Sequence, residues 1–172
     1  MGKMSDKHIE MQEEVVVNIV DWEGRIRRTW ESILKLGINP NFSNPDTYVE
    51  NTFLSEIWSM STTAFDMPRE IQVVIDSNNK LFISVGTPGY VWFDELPVGM
   101  SLPIKCWIHT HPFGKAYFSQ TDWTTIKTWE PVMETAIVLG DNQYWAYHLE
   151  SEVVKTVQFG ILKAPDLTGE SE

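Results

Sequence analysis

The chain has 172 residues, of which 42% are hydrophobic and eight are tryptophan, which suits one domain with a sizeable core. Its 24 acidic and 13 basic side chains give a net charge of −11, which argues against a nucleic-acid partner because phosphate binding relies on lysine and arginine. The single cysteine, Cys106, excludes an intramolecular disulfide and a cysteine-rich zinc cluster.

The sequence shows no sign of a membrane segment. No stretch has the length of an apolar transmembrane helix, and residues 1–15 contain no apolar signal region. We therefore expect a cytoplasmic protein that binds neither a membrane nor a nucleic acid. The acidic surface that the charge implies would favour a basic partner.

Residues 1–46 are predicted to form an N-terminal extension. Its first 14 residues are polar, which is typical of a mobile tail, and Val15–Val20 has the composition of a strand. Trp22–Leu36 is predicted to be an amphipathic helix that stops at Gly37. Its apolar side carries Trp22, Ile26, Trp30, Ile33 and Leu34, and its basic group is Arg25, Arg27 and Arg28. We expect the basic group to be solvated and the helix to complete the core, the alternative being a docking element.

A second helix follows a loop rich in Asn and Pro. Residues 51–65 repeat apolar side chains at helical spacing, and the sequence Met67-Pro68-Arg69 interrupts that helix. Glu56 is interpreted as lying in mid-helix, away from the apolar stripe. Ile71–Ile75 then has the β-branched character of a strand, and two further strands are expected before residue 104.

A short strand comes next and carries two histidines at its end. Ile104–Ile108 is apolar and β-prone, and the strand is predicted to end at the His-Pro step, because Pro112 has no backbone donor. Alternate residues of a strand share a face. His109 and His111 should therefore point the same way.

A third helix is predicted to begin at a serine. Residues 113–118 form a loop, and Ser119 then has the position of a helix cap. Asp122 follows at the spacing of a carboxylate one turn later, which places both side chains near the helix N-terminus. Read alone, Ser119 is an ordinary cap and Asp122 an acid that the helix dipole favours.

The last strands complete the fold class. Glu134–Leu139 and Tyr144–His148 flank Gly140-Asp141-Asn142, which is a hairpin signal, and a further strand is expected within 153–162. Strands that alternate with packed helices indicate an α/β sandwich with a mixed sheet.

Two imidazoles and a carboxylate suit a zinc ion, and three protein ligands leave a fourth tetrahedral position open, as in catalytic sites. A zinc deaminase would need a downstream cysteine pair, which the chain lacks. Metal-dependent hydrolases whose metal site begins with His-x-His often use further histidines as ligands. Here only His8 and His148 remain, which leaves a mononuclear site of two histidines and one aspartate. A His-x-His pair on its own is more often a half-exposed polar face than a ligand pair.

The segment His109-Thr110-His111, seven residues, and then Ser119-x-x-Asp122 is similar to the signature of the JAMM/MPN+ metalloproteases, His-Ser/Thr-His-x7-Ser-x-x-Asp. Trp107-Ile108 before the first histidine and Tyr117-Phe118 before the serine also resemble that family. The resemblance implies a cytidine-deaminase-like sandwich, with a mixed β-sheet flanked by helices, over residues 47–163. Residues 1–46 and a polar tail at 164–172 lie outside it.

The family also has a glutamate where a helix meets the first strand. Glu70, which directly precedes the predicted strand Ile71–Ile75, fits that place best. Glu95, in the loop Asp94-Glu95-Leu96-Pro97, is the second candidate.

The resemblance implies zinc-dependent hydrolysis of an isopeptide or peptide bond, at the C-terminus of a ubiquitin-like or sulfur-carrier protein. It assigns one zinc ion to His109, His111 and Asp122. It makes Glu70 the acid and base and Ser119 the hydrogen-bond donor to the oxyanion. Residues 113–118 and 85–94 are expected to line a groove for the extended tail of the substrate.

Other functions stay open on the sequence. Some relatives have lost the metal and act as scaffolds, related domains occur in phage tail proteins, and the same zinc centre could act on a small amide. The sequence does not define the oligomeric state.

Overall fold

A computed structural model describes residues 21–86, 98–149 and 155–163 of the chain. In these ranges a six-stranded mixed sheet lies between two layers of helices, which confirms the α/β class predicted from the sequence. The tail and strand predicted before residue 21, Glu95, and the polar tail at 164–172 lie outside the described residues.

Three helices and six strands make up the fold. The helices are α1, which covers 21–35 of the described chain, α2 (Tyr48–Thr63) and α3 (Gln120–Trp129), which runs into a 3-10 turn at Glu130–Val132. The strands are β1 (Ile71–Ile75), β2 (Leu81–Val85), β3 (Ile104–Thr110), β4 (Met133–Gly140), β5 (Gln143–Leu149) and β6 (Lys155–Ile161). Of the two strands expected between β1 and residue 104, β2 is present, and residues 87–97 are not among those described.

The sheet order, β2-β1-β3-β4-β5-β6, places β3 near the centre. β3 and β4 are parallel, and every other neighbouring pair is antiparallel. A parallel pair needs a crossover connection, and α3 provides it between β3 and β4. The crossover begins at the carboxyl end of β3, the end of a strand at which α/β sheets commonly bind ligands.

The two faces of the sheet bury different helices. Val73 and Ile75 face the layer of α1 and α2, while Val74 between them faces the layer of α3. In the first layer Trp30 of α1 packs against Phe53 of α2, with ring centroids 5.0 Å apart. This contact confirms that α1 completes the core.

Glu56 lies in the middle of α2, as predicted. It is 4% exposed, because α1 covers the side of α2 that the sheet leaves free. Its Oε1 accepts a hydrogen bond from Thr29 at 3.1 Å and lies 3.6 Å from the guanidinium of Arg25. Arg25 is correspondingly half-buried, whereas Arg27 and Arg28 are exposed as expected.

A two-residue turn joins β4 and β5. Asp141 and Asn142 have φ angles of 49° and 59°, and Gly140 pairs with Gln143 across the turn. Positive φ at both central residues is the requirement of a type I′ hairpin, and Asn and Asp tolerate it better than most residues. The predicted hairpin is confirmed.

Candidate metal centre

Two histidines leave the end of β3 on the same side of the sheet. His109 is the penultimate residue of β3, His111 follows the strand, and both imidazoles face α3. Trp107, two residues earlier on that face, stacks on His109 with ring centroids 4.3 Å apart. The predicted common direction of the histidines is confirmed, and the stack leaves the ring of His109 little freedom to turn.

The start of α3 places a carboxylate between the two imidazoles. Ser119 caps the helix, its Oγ accepting from the Asp122 N–H at 3.1 Å, while Oδ2 of Asp122 accepts from the Ser119 N–H at 2.9 Å. The same Oδ2 lies 3.1 Å from Nε2 of His109 and 3.1 Å from Nε2 of His111. The predicted helix start is therefore confirmed, and its reciprocal cap fixes Asp122 beside the histidines.

The charges of the three groups depend on one another. Burial alone would raise the pKa of Asp122, but contact with the two imidazoles lowers it far below its usual range. Burial lowers the pKa of His109 and outweighs the opposing effect of Asp122. Burial acts in the same direction on His111, yet there Asp122 prevails and the pKa is raised. Metal ligation requires Asp122 ionised and both histidines neutral. Because its pKa is raised, His111 is the histidine that would have to release a proton when a metal binds.

The donor set fits a metal ion. One ligand atom from each of His109, His111 and Asp122 lies within 4.8 Å of the others. His109 is 2% exposed, and its Nε2 makes no hydrogen bond of ordinary geometry even though a carboxylate oxygen is close. A neutral imidazole has one unprotonated ring nitrogen, whose lone pair can bind a metal. Two imidazoles and one carboxylate form a set that divalent transition metals accept.

The two candidate catalytic residues lie at the edge of this group. Glu70 directly precedes β1, whose first residue, Ile71, donates its N–H to Thr110 between the two histidines at 2.8 Å. The charge of Glu70 is one of the influences that raise the pKa of His111. Ser119 is tied to Asp122 through the cap. The structure thus brings Ser119 to the three candidate ligands, and it places Glu70 beside the strand end that carries the two histidines. Glu56 lies between α1 and α2, and Glu95 is outside the described residues.

Aromatic side chains of the loop before α3 surround the histidines. Tyr117 is about half exposed and meets the ring of His111 edge-on, with centroids 5.3 Å apart, while the buried Phe118 lies 6.2 Å from His109. Phe113 is also exposed. Sequence reasoning did not predict that Trp107, Tyr117 and Phe118 contact the histidines. The position of Trp107 two residues before His109 does indicate a shared strand face.

Comparison with protein-family models, with curated proteins and with solved structures finds no significant match to this chain. In the part of the chain that the structure describes, no helix combines the length and the apolar character needed to cross a bilayer. The function is therefore inferred from the site itself.

Proposed function

We propose that this protein is a zinc metalloprotease of the JAMM/MPN+ type with a cytidine-deaminase-like fold, and that it hydrolyses an isopeptide or peptide bond. The observation that carries the proposal is the convergence of His109, His111 and Asp122, with Glu70 and Ser119 beside them. The six-stranded mixed sheet between helical layers supports the fold assignment.

Each residue has a chemical role that its surroundings allow. His109, His111 and Asp122 would hold the zinc ion, which when bound supplies a Lewis acid and lowers the pKa of water toward neutrality. Glu70 would accept the proton of the attacking water and return it to the leaving amine. The Oγ of Ser119 accepts from the Asp122 N–H, so its own proton is free to be donated to the oxyanion.

The surface beside the site favours an extended peptide as substrate. Tyr117 exposes an aromatic ring against His111, Phe113 is an exposed aromatic of the same loop, and such rings bind the apolar parts of a peptide. We therefore propose the flexible C-terminal tail of a ubiquitin-like or sulfur-carrier protein as the substrate class. The net charge of −11 further favours a basic surface on that partner.

The proposal is tested by hydrolysis of a ubiquitin-like protein that carries a fluorogenic amide at its terminal glycine. Zinc-loaded wild type should cleave it, a chelator should stop the reaction, and Glu70→Gln should lower kcat by about 10²-fold or more. Glu56→Gln removes a buried glutamate in the other helical layer and should leave kcat unchanged. Equal activity of Glu70→Gln and wild type would exclude the assigned mechanism.

The same assay separates the competing functions. A non-catalytic scaffold would bind the ubiquitin-like protein without cleaving any amide. A small-amide hydrolase would cleave a short N-acyl amide but not the protein substrate. Either result would contradict the proposed function.

A further inference from the structure

The backbone around Glu70 is held by hydrogen bonds from three directions. The Arg69 N–H donates to the carbonyl of Ser61 in α2 at 2.9 Å, and the carbonyl of Glu70 accepts from the Gly86 N–H at 2.9 Å. The Ile71 N–H donates to the side-chain Oγ1 of Thr110 at 2.8 Å. The peptide groups on both sides of Glu70 are therefore fixed to neighbouring elements.

Two buried hydroxyls link these bonds into one directed chain. The Oγ of Ser61 lies 2.5 Å from the carbonyl oxygen of Arg69 and 2.8 Å from Oγ1 of Thr110. A carbonyl can only accept, so Ser61 donates its proton to Arg69 and must accept the proton of Thr110. Thr110 in turn accepts from Ile71. The chain thus runs from the Ile71 N–H to the Arg69 carbonyl and brackets Glu70.

Thr110 stands between the two histidine ligands but faces the opposite side of the sheet. His109 and His111 face α3, and the alternation of the strand turns Thr110 toward α2 and Ser61. The last paired residues of β1 and β3 are Gln72 and His109. At the next position the Ile71 N–H donates to the side-chain hydroxyl of Thr110. His109 and His111 are thus candidate ligands, while Thr110 between them holds the backbone next to Glu70.

Water cannot replace these hydroxyls. Ser61, Ile71 and Thr110 are all 0% exposed, so loss of either hydroxyl would leave a buried polar group without its partner. The segment would have to move to satisfy that group, and the side chain of Glu70 would move with it.

We infer that Ser61 and Thr110 are positioning residues that hold the carboxylate of Glu70 at a fixed place relative to the metal centre. This inference rests on the proposed function, in which Glu70 moves the proton. It does not make either hydroxyl a catalytic group, because neither touches the reacting atoms.

The kinetic test compares zinc-loaded Thr110→Val and Ser61→Ala with wild type. Both should lower kcat, by about 10²-fold for Thr110→Val, with KM and the single zinc equivalent unchanged. Thr110→Ser keeps the hydroxyl and should restore kcat. The matched controls are Thr135→Val, a buried threonine of β4, and Ser55→Ala, a buried serine of α2. If the two variants lose no more kcat than these controls, the inference is overturned.

A second readout needs no activity. Hydrogen exchange of the Ile71 amide, followed by NMR, should accelerate roughly tenfold in Thr110→Val, which removes the acceptor of that amide, and return to normal in Thr110→Ser. Unchanged exchange would overturn the inference. If exchange accelerates while zinc-loaded wild type cleaves nothing, the hydroxyls hold the segment as described, and it is the proposed function that fails.

Discussion

A single oxygen of Asp122 serves both the helix and the candidate metal site. Its Oδ2 accepts the Ser119 N–H at 2.9 Å and lies 3.1 Å from each imidazole. An anion at the start of a helix is stabilised by the unpaired N–H groups there, which offsets part of the cost of burying it. The helix needs an acceptor for the Ser119 N–H, and the candidate metal site needs a carboxylate beside the histidines. Asp122 meets both needs.

Ser119 should likewise show two separable roles. Ser119→Ala removes the cap and should lower the free energy of unfolding by about 1 kcal/mol. It also removes the proposed oxyanion donor and should lower kcat by about 10²-fold or more. Urea unfolding and steady-state hydrolysis measure the two effects.

Thr47→Ala is the matched control, since Thr47 caps α2 by accepting from the Glu50 N–H. It should cost similar stability and leave kcat unchanged. A Ser119→Ala variant whose activity matches that of Thr47→Ala would show that Ser119 is a helix cap and nothing more.

At the scale of elements, the turn after β4 supports the loop between the ligands. A Cβ added to Gly140 would lie 2.4 Å from the carbonyl carbon of Lys115 and 2.5 Å from the nitrogen of Ala116. These are backbone atoms, so the loop itself would have to shift. That loop joins His111 to Ser119 and thereby sets the spacing between the histidines and Asp122.

Gly140→Ala should therefore weaken metal binding from outside the ligand set. We expect a loss of stability of about 1–3 kcal/mol and a fall in zinc affinity of about 10-fold or more. Thermal unfolding and competition with a chelator measure these changes. Gly114→Ala, in the same loop, would meet only the Cβ of His111 at 3.9 Å and should be neutral. Equal zinc affinity of the two variants would contradict the account.

Local patterns in the sequence predicted the elements that position the ligands. Strand alternation gave His109 and His111 a common direction, and the spacing of Ser119 and Asp122 gave the cap. These features depend on neighbours within four residues. The interaction of Ser61 with Thr110 joins residues 49 positions apart, so no local pattern carries it.

The burial of Glu56 could not be predicted for the same reason. Helical periodicity in α2 identifies the side that faces the sheet, but it does not reveal that α1 covers a second side. The fold class could be predicted because the order of strands and helices limits the possible sheets.

In the whole molecule, the sheet separates two kinds of support for the site. The candidate ligands lie on the face of α3, and the hydroxyls that fix the backbone of Glu70 lie on the face of α2. β3 carries residues of both groups, and like β1 and β4 it contributes to both cores. Stability of the α2 layer should therefore be needed for a well-ordered site.

That layer contains a buried acid whose ionisation opposes folding. Burial raises the pKa of Glu50 above its usual value of about 4.5, although Oε1 accepts from the Phe42 N–H at 3.1 Å, and Oε2 is buried without a partner. The folded state thus binds this proton more tightly than the unfolded state. Tighter proton binding by Glu50 contributes fully to the free energy of unfolding at a pH below the usual pKa. This contribution is lost as the pH rises through the raised pKa of the folded state.

Glu50→Gln keeps an oxygen that can accept from Phe42 and removes the charge. The free energy of unfolding of the variant, relative to wild type, should therefore increase as the pH rises from about 4 to 7. Urea unfolding at several pH values gives this difference directly. A difference that does not change with pH would show that the ionisation of Glu50 does not oppose folding.

The central claim is that His109, His111 and Asp122 form a zinc centre, and zinc content per chain tests it most directly. Wild type, His111→Ala and the control His148→Ala, which removes a buried histidine of β5 instead, are reconstituted with zinc, freed of excess ion and analysed for metal. We predict one equivalent in wild type and in His148→Ala and none in folded His111→Ala. Wild type without zinc, or a full equivalent retained by His111→Ala, would contradict the account.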